Sequence, residues 1–175
     1  MNIDPAVFDD KRRMDAALFA AVDRASLLGS LTAALGAWER RSFVDDEVLL
    51  FAGMAVRESG HAGVDEAVFD WWHAAPTLAR QEIAADFLWG YWHSAGKVHA
   101  PSVTALLDSL DALPSDSTAY AATLLALFSV ATARPANLSA PQSVRVRETL
   151  LAHLERLERS GQHPGVAASL EYLRP

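Results

Sequence analysis

The chain has 175 residues, 51% of them hydrophobic and 21% charged, with 22 acids against 15 bases and no cysteine. That length suits one domain of the usual size, and a chain of this size buries roughly 70% of its unfolded surface without help from a metal or disulfide. The composition excludes a disordered, collagen-like or low-complexity chain. The lack of cysteine excludes a disulfide scaffold, a thiolate metal site and a cysteine nucleophile.

The net charge of −7 repels phosphate backbones and anionic lipid. The densest basic groups, Lys11-Arg12-Arg13, Arg40-Arg41 and Arg145/Arg147, each lie beside acids, so neither a nucleic-acid nor a membrane partner is expected. Arginine far outnumbers lysine, which occurs at positions 11 and 97 alone, and alanine is abundant; this is the bias of a GC-rich bacterial genome. The start, Met1-Asn2-Ile3-Asp4-Pro5, lacks the basic and then apolar stretch of a secretory leader, which makes the cytoplasm the expected location. The longest uncharged run, Ser117 to Ala133, is rich in alanine, serine and threonine. It reads as a buried helix rather than a membrane span.

Apolar residues recur at helical spacing nearly everywhere, and no segment alternates like a half-buried strand. The expectation is a single all-α domain over 1–175 with about nine helices. Asp4-Pro5 has the form of an N-cap followed by proline at the first helical position, and an N-terminal helix is expected within about 5–24, with Met14, Leu18, Ala21 and Val22 inward. Helix pairs are then expected over about 26–59, 64–95, 100–133 and 141–173. In the first pair, Leu27, Leu31, Ala34, Leu35 and Trp38 form one stripe, and Gly60 is placed to end the second helix. Pro76, Pro101 and Pro141 each sit where a helix opens; Gly96, Arg134-Pro135 and Gly161 sit where one stops. The pairs begin about 40 residues apart. That is the period of a HEAT-like short right-handed array, although no repeat-to-repeat consensus accompanies it. The alternative is an irregular helical bundle. Either architecture joins neighbouring helices as antiparallel hairpins.

Chemistry concentrates between Glu66 and His99, which holds four of the five tryptophans. On the fourth helix, Glu66, Asp70 and His73 share one stripe; on the fifth, Glu82, Asp86, Trp89 and His93 share another. His73 and His93 lie near the far ends of an antiparallel hairpin, about 25 Å apart at 1.5 Å per residue, so one metal cannot bind both. Both acidic stripes lie opposite their helix's apolar face (Val64, Val68, Trp71 and Ala75; Ala84, Phe87, Leu88 and Tyr91), which makes their carboxylates first of all solvated surface. Trp89 is the exception, a tryptophan on a polar stripe. Either the fifth helix is central and surrounded, a reading that Gly90 supports by permitting close helix approach, or Trp89 and Trp92 form an acidic, aromatic patch able to hold a cationic side chain.

No phosphate loop, His-Glu-x-x-His or Gly-x-Ser-x-Gly motif is present, so no catalytic residue is named and no cofactor is expected. His153 reads as a boundary residue and His163 as surface. Two functions from different classes follow. The preferred one is a small cytoplasmic helical interaction module, such as an inhibitor or immunity-type protein. It would bind a basic protein or peptide through Glu82, Asp86, Trp89, Trp92 and His93. The other is a metal- or small-molecule-binding protein, with or without enzymatic activity. It would use Glu66, Asp70, His73, Glu82 and Asp86 for a metal, or an apolar pocket at Phe87, Tyr91 and Trp92 for a ligand.

Overall fold

A computed structural model describes residues 3–41 and 44–174; Met1 and Asn2, part of the segment read for a leader, lie outside these. Among the described residues there are nine α-helices and no strand. They are α1 (Ala16–Ala20), α2 (Arg24–Glu39), α3 (Asp46–Glu58), α4 (Val64–Ala74), α5 (Leu78–Trp92), α6 (Ala100–Ser109), α7 (Thr118–Ala133), α8 (Ala140–Ser160) and α9 (Pro164–Leu170), with short 3₁₀ turns at Pro5–Asp9, Leu110–Ala112 and Glu171–Leu173. The fold class is therefore the expected one, all-α, and it fits a helical bundle. None of these helices is long and apolar enough to cross a membrane.

The N-terminal segment departs from the expected helix because aspartates interrupt it. The side chain of Asp4 accepts from the Ala6 N–H, Asp15 from Ala17 N–H and Asp23 from Ser26 N–H. Each bond stabilises a fresh helix start in place of continuation. The segment still packs firmly. Phe8 and Phe19 are fully buried and stacked, and Phe8 meets Trp38 edge-on. The Arg41 guanidinium grips Asp9 with two bonds of 2.9 and 2.7 Å, while the Trp38 indole donates to the same carboxylate. Arg41 first, and Trp38 with it, hold Asp9 below the ordinary aspartate range despite desolvation.

Elsewhere the helix boundaries follow the punctuation. Ser117 caps α7, and Ser139 with Gln142 closes a full capping box on α8. α5 stops at Trp92 rather than near Gly96, because Ser94 adopts φ +58° and turns the chain first.

α5 packs against α2, α3, α4 and α7. α3 and α7 flank it, while α2 and α4 cover its inner side. α5 and α7 run in the same direction: Gln81 bonds Thr123 near their starts, and Ser129 donates to the Trp89 carbonyl nearer their ends. The surrounding helices bury Ile83, Ala84, Ala85, Phe87, Leu88, Tyr91 and Trp92 on nearly all sides. The crossing of α3 and α5 is the closest approach. A methyl group on Gly90 would stand 2.0 Å from the Leu50 carbonyl oxygen, and one on Gly53 would stand 2.1 Å from the Phe87 carbonyl oxygen. Two glycines thus bring two helix backbones into direct contact, and the cost of glycine within a helix is offset by the packing it permits.

Candidate functional site

At 100° per residue, Glu82, Asp86, Trp89 and His93 fall on one stripe of α5. Gly90 meets α3 on one side of that stripe, and the Trp89 carbonyl meets Ser129 of α7 on the other. The stripe therefore opens outward between α3 and α7. On the flanking helices, Leu50 and Met54 of α3 and Leu125 and Phe128 of α7 are half-buried. Leu78, at the start of α5, is 50% exposed. The result is a partly apolar face across three helices with acids set into it.

Asp86 is the unusual member. Its place opposite the apolar face predicts a solvated side chain, but it is only 6% exposed. The correction follows from the glycine contact: α3 comes so close to α5 that it covers the next turn of the stripe. Asp86 has no hydrogen-bond or ion-pair partner among the described residues. Burial, then the charges of Glu82 and Asp46, push its carboxyl up to about 8. Lys11, the cation at the start of α3, is bound to Glu47 and lies 3.9 Å from Asp45. Trp89 is half-buried against the core, neither fully covered nor free, while Glu82 is half-buried and His93 is exposed at the end of α5.

Trp92 does not belong to this face. It is fully buried, and its indole N–H donates to the carboxylate of Asp65 at 3.0 Å. An aromatic patch of Trp89 with Trp92 is thus overturned. The cationic contacts to aromatic rings lie elsewhere, Arg80 over Trp71 and Lys11 over Phe51.

The five residues of the metal reading are also divided. α4 meets α5 through Arg80 on the Trp71 carbonyl and Trp92 on Asp65, both away from the Glu82–Asp86 stripe. Glu66 lines a cleft at one end of the bundle, and exposed His73 stacks on Phe69. No three His, Asp or Glu side chains are placed to hold a metal among the described residues. Phe87, Tyr91 and Trp92 pack into the core together with their neighbours.

The end cleft was not foreseen from sequence. It has a volume of about 570 Å³ and is walled by the loops 60–63 and 96–99 together with Arg57, Asp65, Glu66, Tyr91 and Asn137. Long-range bonds pin these loops. The Asn137 amide both donates to and accepts from the backbone of Val98, at 2.7 and 3.0 Å, and Ala136 N–H donates to the Gly96 carbonyl. The Tyr91 hydroxyl donates to the His61 carbonyl, and Arg24 donates to the carbonyls of Ala62 and Gly63. Burial, then the charge of Asp65, raises the Tyr91 hydroxyl to about 12, so it stays a donor. Asp65 is buried and accepts from Trp92, from His99 N–H at 2.5 Å and from Glu66 N–H at 3.2 Å. Gly63 takes φ +72° at the turn into α4. The one sequence signal was the pairing of Gly60 and Gly63 around His61.

His153 is buried rather than a boundary residue, and it accepts from or donates to the Tyr120 hydroxyl at 2.7 Å. Burial, then the charge of Arg156, lowers its affinity for a proton. The fold therefore favours the neutral imidazole, which keeps one ring nitrogen as a donor and one as an acceptor. His163 is half-buried beside Tyr120. No protein-family model matches the chain, and no curated protein and no solved structure matches it either.

Proposed function

We propose that the chain is a cytoplasmic helical interaction module whose α3–α5–α7 face receives a basic, partly apolar segment of a partner protein. An inhibitor or immunity-type protein is the concrete form. The observation that carries the reading is Asp86, a carboxylate 6% exposed, without a partner among the described residues, and crowded by Glu82 and Asp46. Burying such a group lowers stability. An arginine or lysine from a partner would supply the missing counter-charge, and Leu50, Met54, Trp89, Leu125 and Phe128 would supply the apolar contact that anchors it.

Selection of binders from a random peptide display library tests this. The expected sequences combine arginine or lysine with apolar residues and lose binding to the Asp86→Asn and Trp89→Ala variants. An acidic or neutral consensus, or binders indifferent to both substitutions, would show that the face is not the site.

A further inference from the structure

The end cleft has a chemistry opposite to that of the α3–α5–α7 face. In a chain of net charge −7, its wall carries Arg57 and Lys97, and neither side chain makes an ion pair or hydrogen bond with any described residue. Of the two acids beside them, Asp65 is engaged, while Glu66 is exposed on the cleft wall. Asp65 is buried and accepts three hydrogen bonds from its own surroundings. Glu66 and the Arg24 guanidinium both reach over Gly63, the glutamate oxygen 3.6 Å and the guanidinium nitrogen 2.7 Å from where a Cβ there would stand. His61 and His99 complete the wall, each with one ring nitrogen already bonded, to the Phe19 carbonyl and the Ser102 hydroxyl respectively. Their other ring nitrogens take no part in those bonds.

The cleft is also organised in advance. Its loops are fixed by Asn137, Tyr91 and Arg24 rather than by their own residues, so binding there does not require ordering the two loops. A volume of about 570 Å³ falls in the range of small-molecule sites. A preformed cleft whose two cations have no side-chain partner among the described residues, with two histidines, one satisfied buried acid and the exposed Glu66 at its rim, is suited to a small anion.

We infer that this cleft is a binding site for a small organic anion, whose carboxylate or phosphate group is held between Arg57 and Lys97 with the rest of the molecule against the loops 60–63 and 96–99. Arginine and lysine are the side chains that recognise both groups. The site is independent of the peptide-binding face.

Backbone amide NMR spectra of the full chain, recorded during titration with inorganic phosphate or with acetate at constant ionic strength set by chloride, give the test. The expected result is saturating shifts confined to residues 57–66, 91, 96–99 and 137. Binding should weaken at least tenfold in the Arg57→Gln/Lys97→Gln double variant, whose other resonances stay in place. Saturation by phosphate alone assigns a phosphate-bearing ligand, and saturation by acetate alone assigns a carboxylate-bearing one. Shifts that are scattered, that follow the chloride control, or that persist unchanged in the double variant would overturn the assignment.

Discussion

Alanine at Gly90 should destabilise the protein, although alanine is the better helix former by roughly 1 kcal/mol. The added methyl would stand 2.0 Å from the Leu50 carbonyl oxygen, 2.9 Å from its carbon and 3.1 Å from the Met54 nitrogen. All three are backbone atoms, and no rotamer change can clear them. α3 and α5 must separate by more than an ångström to restore ordinary contact, which opens the packing along the whole crossing. Overpacking of this kind costs about 1–3 kcal/mol, and loss of the adjoining contacts sets this case at or above the upper end. Allowing for the gain in helix propensity, the net loss should be about 2 kcal/mol or more. That corresponds to a fall in Tm of about 4–8 °C for a chain of this size. At Gly29, also inside a helix, an added methyl would meet nothing within 4 Å. Gly29→Ala should therefore stabilise by about 0.5–1 kcal/mol. Thermal and urea denaturation followed by far-UV circular dichroism measure both variants. A Gly90→Ala protein as stable as the parent, or a Gly29→Ala protein that loses as much, would refute the close-crossing argument.

Asp86→Asn should raise stability in alkaline solution. The folded carboxyl titrates at about 8, against about 3.9 in an unfolded chain, so between these values the folded state binds more protons and stability falls as pH rises. The substitution should flatten that dependence, with a gain visible in urea midpoints at pH 9 and little difference near pH 4. Tyr120→Phe removes the hydroxyl bonded to buried His153, and should cost about 1–3 kcal/mol by leaving the ring nitrogen unsatisfied, again read from urea midpoints. His153 has a lowered affinity for protons in the fold, so unfolded chains bind more protons below about pH 6.5. Stability should drop there as pH falls through that window, and His153→Gln should reduce the drop. Asp65→Ala would strand the Trp92 indole and the His99 amide; a loss of about 3 kcal/mol or more is expected, with Trp92 fluorescence reporting the altered surroundings.

Helix type and order were legible because their causes are local. Prolines, serine caps and glycine stops act within four residues, and the apolar stripe of α2 is the buried one that its spacing predicts, with Leu27, Leu31, Leu35 and Trp38 inside. The first helix failed for a local reason as well: Asp15 and Asp23 look like surface acids in a helical pattern, yet each starts a new helix. The site was harder to read because its residues depend on distant partners. Trp92 and Asp86 both lie on α5, but burial of Trp92 comes from Asp65, 27 positions earlier, and burial of Asp86 from the approach of α3 at Gly53 and Gly90. Periodicity identified the stripe that holds Glu82, Asp86, Trp89 and His93; it carried no information on how closely α3 would cover it. The end cleft is assembled by two loops, three helices and Asn137, and no spacing within any one of them encodes it.

The most direct test of the proposed role measures the affinity of a display-selected basic peptide by isothermal titration calorimetry between pH 7.5 and 9.5, in buffers of differing ionisation enthalpy. Asp86 titrates in this range, as do α-amino groups, so the Asp86→Asn variant isolates the share that belongs to Asp86. A cation placed beside Asp86 must displace its proton, so binding should strengthen by up to about tenfold per pH unit below 8 and level off above it, with proton release. Asp86→Asn should abolish both effects and weaken binding at pH 9, while making the free protein more stable. Affinity that is independent of pH, without proton release, and equal in the Asp86→Asn variant would contradict the account.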